Sequence, residues 1–128
     1  MNPITAAVLV QTSKPLEILT IYPRPLKEGQ VLVKIFYSGV CRSQLMEVNG
    51  LRGEDKWLPH LLGHEASGVV LEVGKGVEKV KVDDHVILSW IKGDGIEAEA
   101  AKYDTKEGMV INSGKVTTFS NQAVVSEN

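Results

Sequence analysis

The stretch GHEASGVVLEVGKGV, residues 63–77, contains the sequence pattern that decides the fold. It begins with a glycine and a polar pair, continues into an apolar run at residues 68–73, and ends at the turn Gly74-Lys75-Gly76. An apolar run of this length between two turn signals predicts a buried β-strand. The stretch therefore places a histidine and a glutamate at the beginning of a strand.

Further short strands are predicted on both sides of this one. Residues 30–37 alternate with the period of two that is typical of a strand, and comparable apolar runs occupy residues 6–10, 16–22, 84–90 and 116–125. Residues 41–48 lack this alternation and contain helix formers, which predicts a short helix that stops at Asn49-Gly50. The 128 residues are expected to form one mostly β domain, residues 1–128, with one or two short helices.

The composition excludes several classes of protein. Hydrophobic residues make up 43% and charged residues 23%, which is typical of a packed globular domain. The formal net charge of -2 provides no positive field for nucleic acid. No apolar run is long enough for a secretory signal or a membrane span, and the single cysteine suits a reducing compartment. A cytoplasmic protein with neither a nucleic acid nor a membrane partner is expected.

One pair of residues carries metal chemistry. Cys41 is predicted where a strand turns into the short helix, and Arg42 beside it would favour the thiolate. His64 lies 23 positions later, followed by Glu65. Thiolate and imidazole together suit zinc, and a neighbouring carboxylate can orient the imidazole or join the coordination. From the residues alone, a buried cysteine and an ordinary histidine remain the alternative.

The same residues resemble a known family. Its signature positions are matched by Gly63, His64, Glu65, Gly68, Gly74 and Val77. The segment Gly39-Val40-Cys41-Arg42-Ser43 is similar to the first-ligand segment of that family. On these motifs the chain resembles the N-terminal, GroES-like catalytic domain of zinc-containing alcohol dehydrogenases, in the medium-chain dehydrogenase/reductase superfamily. The likeness spans nearly the whole chain, apart from residues 52–56 and 92–114, and implies an irregular β-barrel without a Rossmann domain.

The resemblance also implies a role for each site residue. Cys41 and His64 are similar to the first two ligands of the catalytic zinc, with Glu65 as the adjacent carboxylate that supports or transiently joins them. Arg42 resembles the contact to the cofactor pyrophosphate, for which a guanidinium fork is suited. Ser43 resembles the hydroxyl that passes on the alcohol proton. The implied reaction is zinc-assisted hydride transfer between a small alcohol or carbonyl compound and NAD or NADP.

The sequence departs from the family pattern at several points. The third zinc ligand and the cofactor-binding domain are expected beyond residue 128, so the isolated chain, a fragment or the product of a truncated gene, is expected to be inactive. Gly74-Lys75-Gly76 is predicted to be a turn, because Lys79 stands where a dinucleotide fingerprint needs its third glycine. Residues 92–115 contain no cysteine, so no structural zinc is expected. Gln44 replaces the aspartate that typically supports the ligand histidine, and Met46 replaces a relay histidine.

Two other functions remain open. In the first alternative, the chain is a free-standing GroES-like binding or assembly module with a vestigial metal site. The uncovered edge strands of such a module would favour a homo-oligomer. A reductase that transfers hydride without metal is disfavoured, because both Cys41 and His64 are present.

Local expectations complete the sequence-based description. His60 is predicted to be a loop residue and His85 a surface residue at a strand start. Trp57 and Trp90 could line a substrate cleft, but core packing is the expected use of such large rings. Residues 92–115 are interpreted as a functional or loosely ordered loop.

Overall fold

A computed structural model describes residues 2–128 and confirms the mostly β class. The described chain contains nine strands and one helix. They are β1 (Ile4–Leu9), β2 (Glu17–Pro23), β3 (Gln30–Ser38), α1 (Arg42–Val48), β4 (His60–Leu61), β5 (Glu65–Val73), β6 (His85–Ser89), β7 (Lys102–Asp104), β8 (Val110–Asn112) and β9 (Gln122–Ser126). Within residues 2–128, helical segments with the length and hydrophobicity needed to cross a bilayer are absent.

The strands form two sheets. Five strands close into a barrel in the order β1-β2-β7-β8-β4, in which β4 and β8 run parallel and the other pairs antiparallel. The remaining strands form an antiparallel sheet in the order β6-β5-β3-β9. Closure of the barrel depends on β4, because this two-residue strand pairs with β1 on one side and β8 on the other.

Two hydrophobic clusters hold the sheets together. The first fills the barrel and includes Ile4, Val8 and Tyr103, all fully buried, and the second lies on the four-stranded sheet around Val33 and Val70. Tyr103 connects the two sheets, because its hydroxyl oxygen accepts the β9 backbone N–H of residue 124 at 2.8 Å. Burial raises the pKa of this phenol to about 12.

Three signature positions need glycine for steric reasons. Gly63 has a positive φ of 91°, and a Cβ there would collide with the side chain of Thr118. At Gly68 a Cβ would collide with the carbonyl oxygen of Lys34 on the neighbouring strand β3. At Gly74 it would collide with the carbonyl oxygen of residue 27 in the loop before β3. These glycines let neighbouring segments pack closely against β5 and the residues at its two ends.

Some local predictions are wrong. His60 is the buried first residue of β4, not a loop residue, because it pairs with both neighbouring barrel strands. Trp57 and Trp90 are 70% and 69% exposed, so neither packs in the core. Residues 92–115 contain β7 and β8, which at three residues each are too short for an alternating pattern to show. The prediction for His85 is confirmed, since it is exposed and begins β6.

Candidate metal centre

Cys41 lies where the chain leaves β3 and enters α1. It is the N-cap residue of the helix, with an extended backbone (φ -118°, ψ 155°), and its side chain is partly exposed. The Ser43 hydroxyl donates a hydrogen bond to Cys41 Sγ at 3.3 Å. This bond and the Ser43 backbone N–H lower the pKa of the thiol, against desolvation and the nearby charge of Glu65. Local contacts therefore favour the thiolate, the form that binds metal.

Gln44 connects Cys41 to His64. The backbone N–H of Cys41 donates to Gln44 Oε1 at 2.6 Å, and Gln44 Nε2 lies 2.9 Å from His64 Nδ1. Gln44 is buried, with only 5% of the residue exposed. One buried amide side chain therefore contacts both predicted ligand residues, Cys41 and His64.

The pairing of β3 with β5 explains this proximity. The register places Ser38 opposite Ala66, so the end of β3 lies beside the start of β5. The Gly39 N–H donates to the Glu65 carbonyl oxygen at 3.0 Å, which continues the pairing toward Cys41. His64 directly precedes β5 and is half-buried, whereas Glu65 begins the strand and is exposed.

The donor types in this arrangement fit zinc. Thiolate sulfur and imidazole nitrogen are borderline-soft ligands that zinc prefers. Within residues 2–128, however, Cys41, His64 and Glu65 do not form a set of three ligand atoms within 4.8 Å of one another. Cys41 and His64 thus provide two donor groups of the type that zinc accepts, without a third from the predicted set at this distance.

The amide orientation of Gln44 affects the imidazole. Because Gln44 Oε1 accepts the Cys41 N–H, the amide NH2 points at His64 Nδ1. A neutral imidazole that accepts at Nδ1 carries its proton on Nε2. Metal ligation through Nε2 then requires the proton to move and the amide to turn, which an aspartate at this position would not require.

The other two predicted site residues lie in the first turn of α1. The Arg42 side chain is exposed, so its guanidinium is accessible to a ligand. The Ser43 hydroxyl donates to Cys41 Sγ and accepts from Gln44 Nε2 at 3.2 Å. Both residues therefore border the Cys41 position.

A cavity of about 680 Å³ lies on the Gln44 and His64 side of the centre. Gln44 and His64 line it, together with a cluster that sequence reasoning missed, Glu47, Asp55 and His60. The three clustered residues occur on a helix, a loop and a strand, so their spacing in the sequence carried no signal. The exposed ring of Trp57 also borders the cavity, which makes it a cleft residue.

Comparisons with known proteins agree with this architecture. Residues 27–128 match the alcohol dehydrogenase GroES-like domain family. Over 82 residues the chain is 48% identical to S-(hydroxymethyl)glutathione dehydrogenase of Escherichia coli O1:K1 / APEC, which covers 64% of this chain and 22% of that protein.

Two solved structures share the fold. An alcohol dehydrogenase zinc-binding domain protein from Burkholderia ambifaria superposes with a TM-score of 0.82 at 24% identity, over 99% of this chain and 40% of its own. Benzyl alcohol dehydrogenase from Acinetobacter calcoaceticus has a TM-score of 0.77 at 24% identity, over 100% of this chain and 40% of its own.

The family match includes all the residues of the candidate centre. It runs from residue 27 to residue 128 and so contains Cys41, Gln44 and His64, as well as every strand from β3 onward. The chain spans 22% of the length of the curated relative above, so the match concerns one part of such proteins. This chain belongs to the alcohol dehydrogenase GroES-like domain family.

Proposed function

We propose that this chain is the metal-holding catalytic part of a zinc-dependent, NAD(P)-linked alcohol or polyol dehydrogenase. The observation that carries the proposal is the Gln44 amide, which contacts both Cys41 and His64. In the proposed enzyme a third zinc ligand and the cofactor-binding domain come from outside residues 1–128. The substrate is a small alcohol or the corresponding carbonyl compound.

Each predicted site residue has a defined task in this proposal. Zinc, when bound by Cys41 and His64, supplies a Lewis acid that lowers the pKa of an alcohol. The hydroxyl of Ser43 lies beside the ligand sulfur, where it can accept the alcohol proton at Oγ while it passes its own hydroxyl proton on toward solvent. Glu65 borders the centre and adds negative charge near the sulfur, which its effect on the Cys41 thiol reflects. The exposed guanidinium of Arg42 is suited to a pyrophosphate.

The thiolate contact to metal is the most direct test. Cobalt(II) is a spectroscopic substitute for zinc, and a cysteine ligand gives it an intense sulfur-to-metal charge-transfer band. We expect this band in the wild-type chain, its loss in Cys41→Ala, and its loss or displacement in His64→Ala. His85→Ala is the matched control, because His85 is exposed at the start of β6. A band that survives Cys41→Ala, or that never forms, would contradict the proposed ligand pair.

Turnover is a separate measurement. For the isolated chain we expect no hydride transfer from an alcohol to added NAD or NADP, measured by nicotinamide absorbance. Robust turnover would show that residues 1–128 are sufficient for catalysis. The proposed division of the site between this chain and further sequence would then be wrong.

One observation favours the module alternative. The edge strand β6 and the turn after it expose Ile87, Trp90 and Ile91 at 79%, 69% and 67%. Exposed apolar side chains on an unpaired strand edge favour association between chains. Sedimentation velocity of wild type and Ile87→Lys tests this function, and a concentration-independent monomer in both would exclude self-association through β6.

A further inference from the structure

A second cluster of ligand-type side chains lies in the wall of the cavity. Glu47 comes from α1, Asp55 from the loop after it, and His60 from β4. His60 Nε2 lies 2.6 Å from Asp55 Oδ2 and 4.0 Å from Glu47 Oε2. One ligand atom from each residue falls within 4.8 Å of the other two. The side chains of His60, Asp55 and Glu47 are 9%, 15% and 30% exposed, so the cluster is largely removed from water yet borders the cavity.

The imidazole of His60 is oriented as a metal ligand would be. Its Nδ1 lies 2.9 Å from the carbonyl oxygen of Leu61, which can only accept, so Nδ1 is the donor. Nε2 then faces two carboxylates. A ring whose Nδ1–H is fixed by a backbone carbonyl presents Nε2 outward, where a metal ion can take the place of its proton, and this is the usual arrangement of a metal-binding histidine.

The Asp55 carboxylate is held in place by its surroundings. Its second oxygen, Oδ1, accepts the backbone N–H of Trp57 at 2.9 Å. The Trp57 carbonyl oxygen in turn accepts from Asn112 Nδ2 at 2.9 Å, which attaches the loop to β8. His60 is fixed between two strands of the closed barrel. Both groups are therefore held near the site, and an ion requires only that His60 Nε2 and Asp55 Oδ2 separate from 2.6 Å to the roughly 3 Å expected for two ligands about 2 Å from one zinc ion.

We propose that Glu47, Asp55 and His60 form a divalent-metal site of zinc type, separate from the Cys41–His64 pair. One nitrogen and two carboxylate oxygens match ligands that zinc accepts, and the side that borders the cavity leaves room for a fourth ligand.

The charges balance when an ion binds. His60 Nε2 and Asp55 Oδ2 are 2.6 Å apart, a hydrogen-bond distance at which one proton lies between them, and Arg52 lies 4.0 Å from Glu47. A divalent ion replaces the Nε2 proton of His60, and one proton is released to solvent for each ion bound.

Zinc titration of a variant without the first pair tests the site. In Cys41→Ser/His64→Ala, calorimetry in two buffers of different ionisation enthalpy should show one equivalent of zinc and release of about one proton. Adding Asp55→Asn or His60→Gln should weaken binding by at least ~100-fold, and adding Glu47→Gln by roughly tenfold. Glu54→Gln is the matched control, because Glu54 is exposed and lines the same cavity. It should leave the affinity unchanged.

Other outcomes would overturn the proposal. Absence of zinc binding in the folded double variant would mean that the three residues form only an ion pair. If the Asp55→Asn, His60→Gln and Glu47→Gln forms bound zinc as tightly as the parent double variant, the ion would lie elsewhere. Glu47→Gln leaves the His60–Asp55 contact intact, so its result does not depend on a change in folding. Cobalt titration of the unmodified chain is the second measurement. We expect one equivalent of cobalt to bind at this site without a thiolate band, and the absence of that equivalent would contradict the proposal.

Discussion

Replacing Gln44 by glutamate should strengthen metal binding at the Cys41–His64 pair. The substitution keeps the length of the side chain and the oxygen that accepts the Cys41 N–H at 2.6 Å. It replaces the amide nitrogen, 2.9 Å from His64 Nδ1, by a carboxylate oxygen that accepts a hydrogen bond from this ring nitrogen. The imidazole then carries its proton on Nδ1, and the Nε2 lone pair becomes free for the metal.

The expected gain is about tenfold in affinity. Partners of this kind change metal affinity by roughly 10- to 100-fold. We expect the lower end because residue 44 is only 5% exposed and its new carboxylate loses hydration. Tenfold corresponds to about 1.4 kcal/mol of binding free energy.

Cobalt titration measures this affinity at the thiolate band, so an ion bound at another site does not contribute. Gln11→Glu is the control, because it makes the same change of charge at an exposed loop position and should bind cobalt as wild type does. If Gln44→Glu bound cobalt no more tightly than wild type, with an unchanged circular dichroism spectrum, the argument from the amide orientation would be refuted.

Three further predictions concern reactivity and stability. Ser43→Ala removes the hydrogen bond that contributes most to the lowered pKa of Cys41, so the midpoint of iodoacetamide alkylation against pH should move upward, and an unchanged midpoint would contradict this cause. Tyr103→Phe leaves the buried N–H of Val124 without its partner and should cost about 1–3 kcal/mol in urea unfolding; a neutral effect would mean that water replaces the hydroxyl. Asp55→Asn should cost about 1.5–3 kcal/mol at neutral pH, because the charged acceptor 2.6 Å from His60 Nε2 is replaced by a neutral amide. Burial raises the pKa of Asp55, but hydrogen bonds from the His60 imidazole and from a backbone N–H hold this pKa below 3.8. The stability difference between wild type and Asp55→Asn should therefore be present above pH 3.8 and disappear as the pH falls through the lower, folded-state pKa. A difference that persisted in acid would contradict the lowered pKa of Asp55.

Much of the fold was predictable because its longer strands have strong patterns. The prediction for residues 30–37 differs from β3 by one residue, and the predicted helix at 41–48 differs from α1 by one residue. The strands β4, β7 and β8 were missed, since two or three residues are too few to establish a period. Their identity depends on partners from distant parts of the chain, which local sequence does not reveal.

The candidate site was predictable only where residue types formed a recognisable pattern. Cys41 and His64 were selected from such a pattern, and the structure brings both into contact with Gln44. The assignment of ligand, proton-transfer and cofactor roles remains a prediction. His60 was predicted to lie in a loop, because a strand of two residues, β4, shows no pattern in the local sequence. Core packing was expected of Trp57 because of its size, with a cleft position as the alternative, and the structure shows the exposed ring lining the cavity.

The difference between the closed barrel and the open sheet has a consequence for amide protection. Strand β1 has hydrogen-bonded neighbours on both sides, β2 and β4, so its N–H groups are released only when the barrel opens. Strand β6 is bonded on one side only, by β5, and its outward N–H groups face solvent in the native state. In deuterium the β6 edge should thus exchange through local fluctuations long before β1, and β1 should report the global stability of the domain.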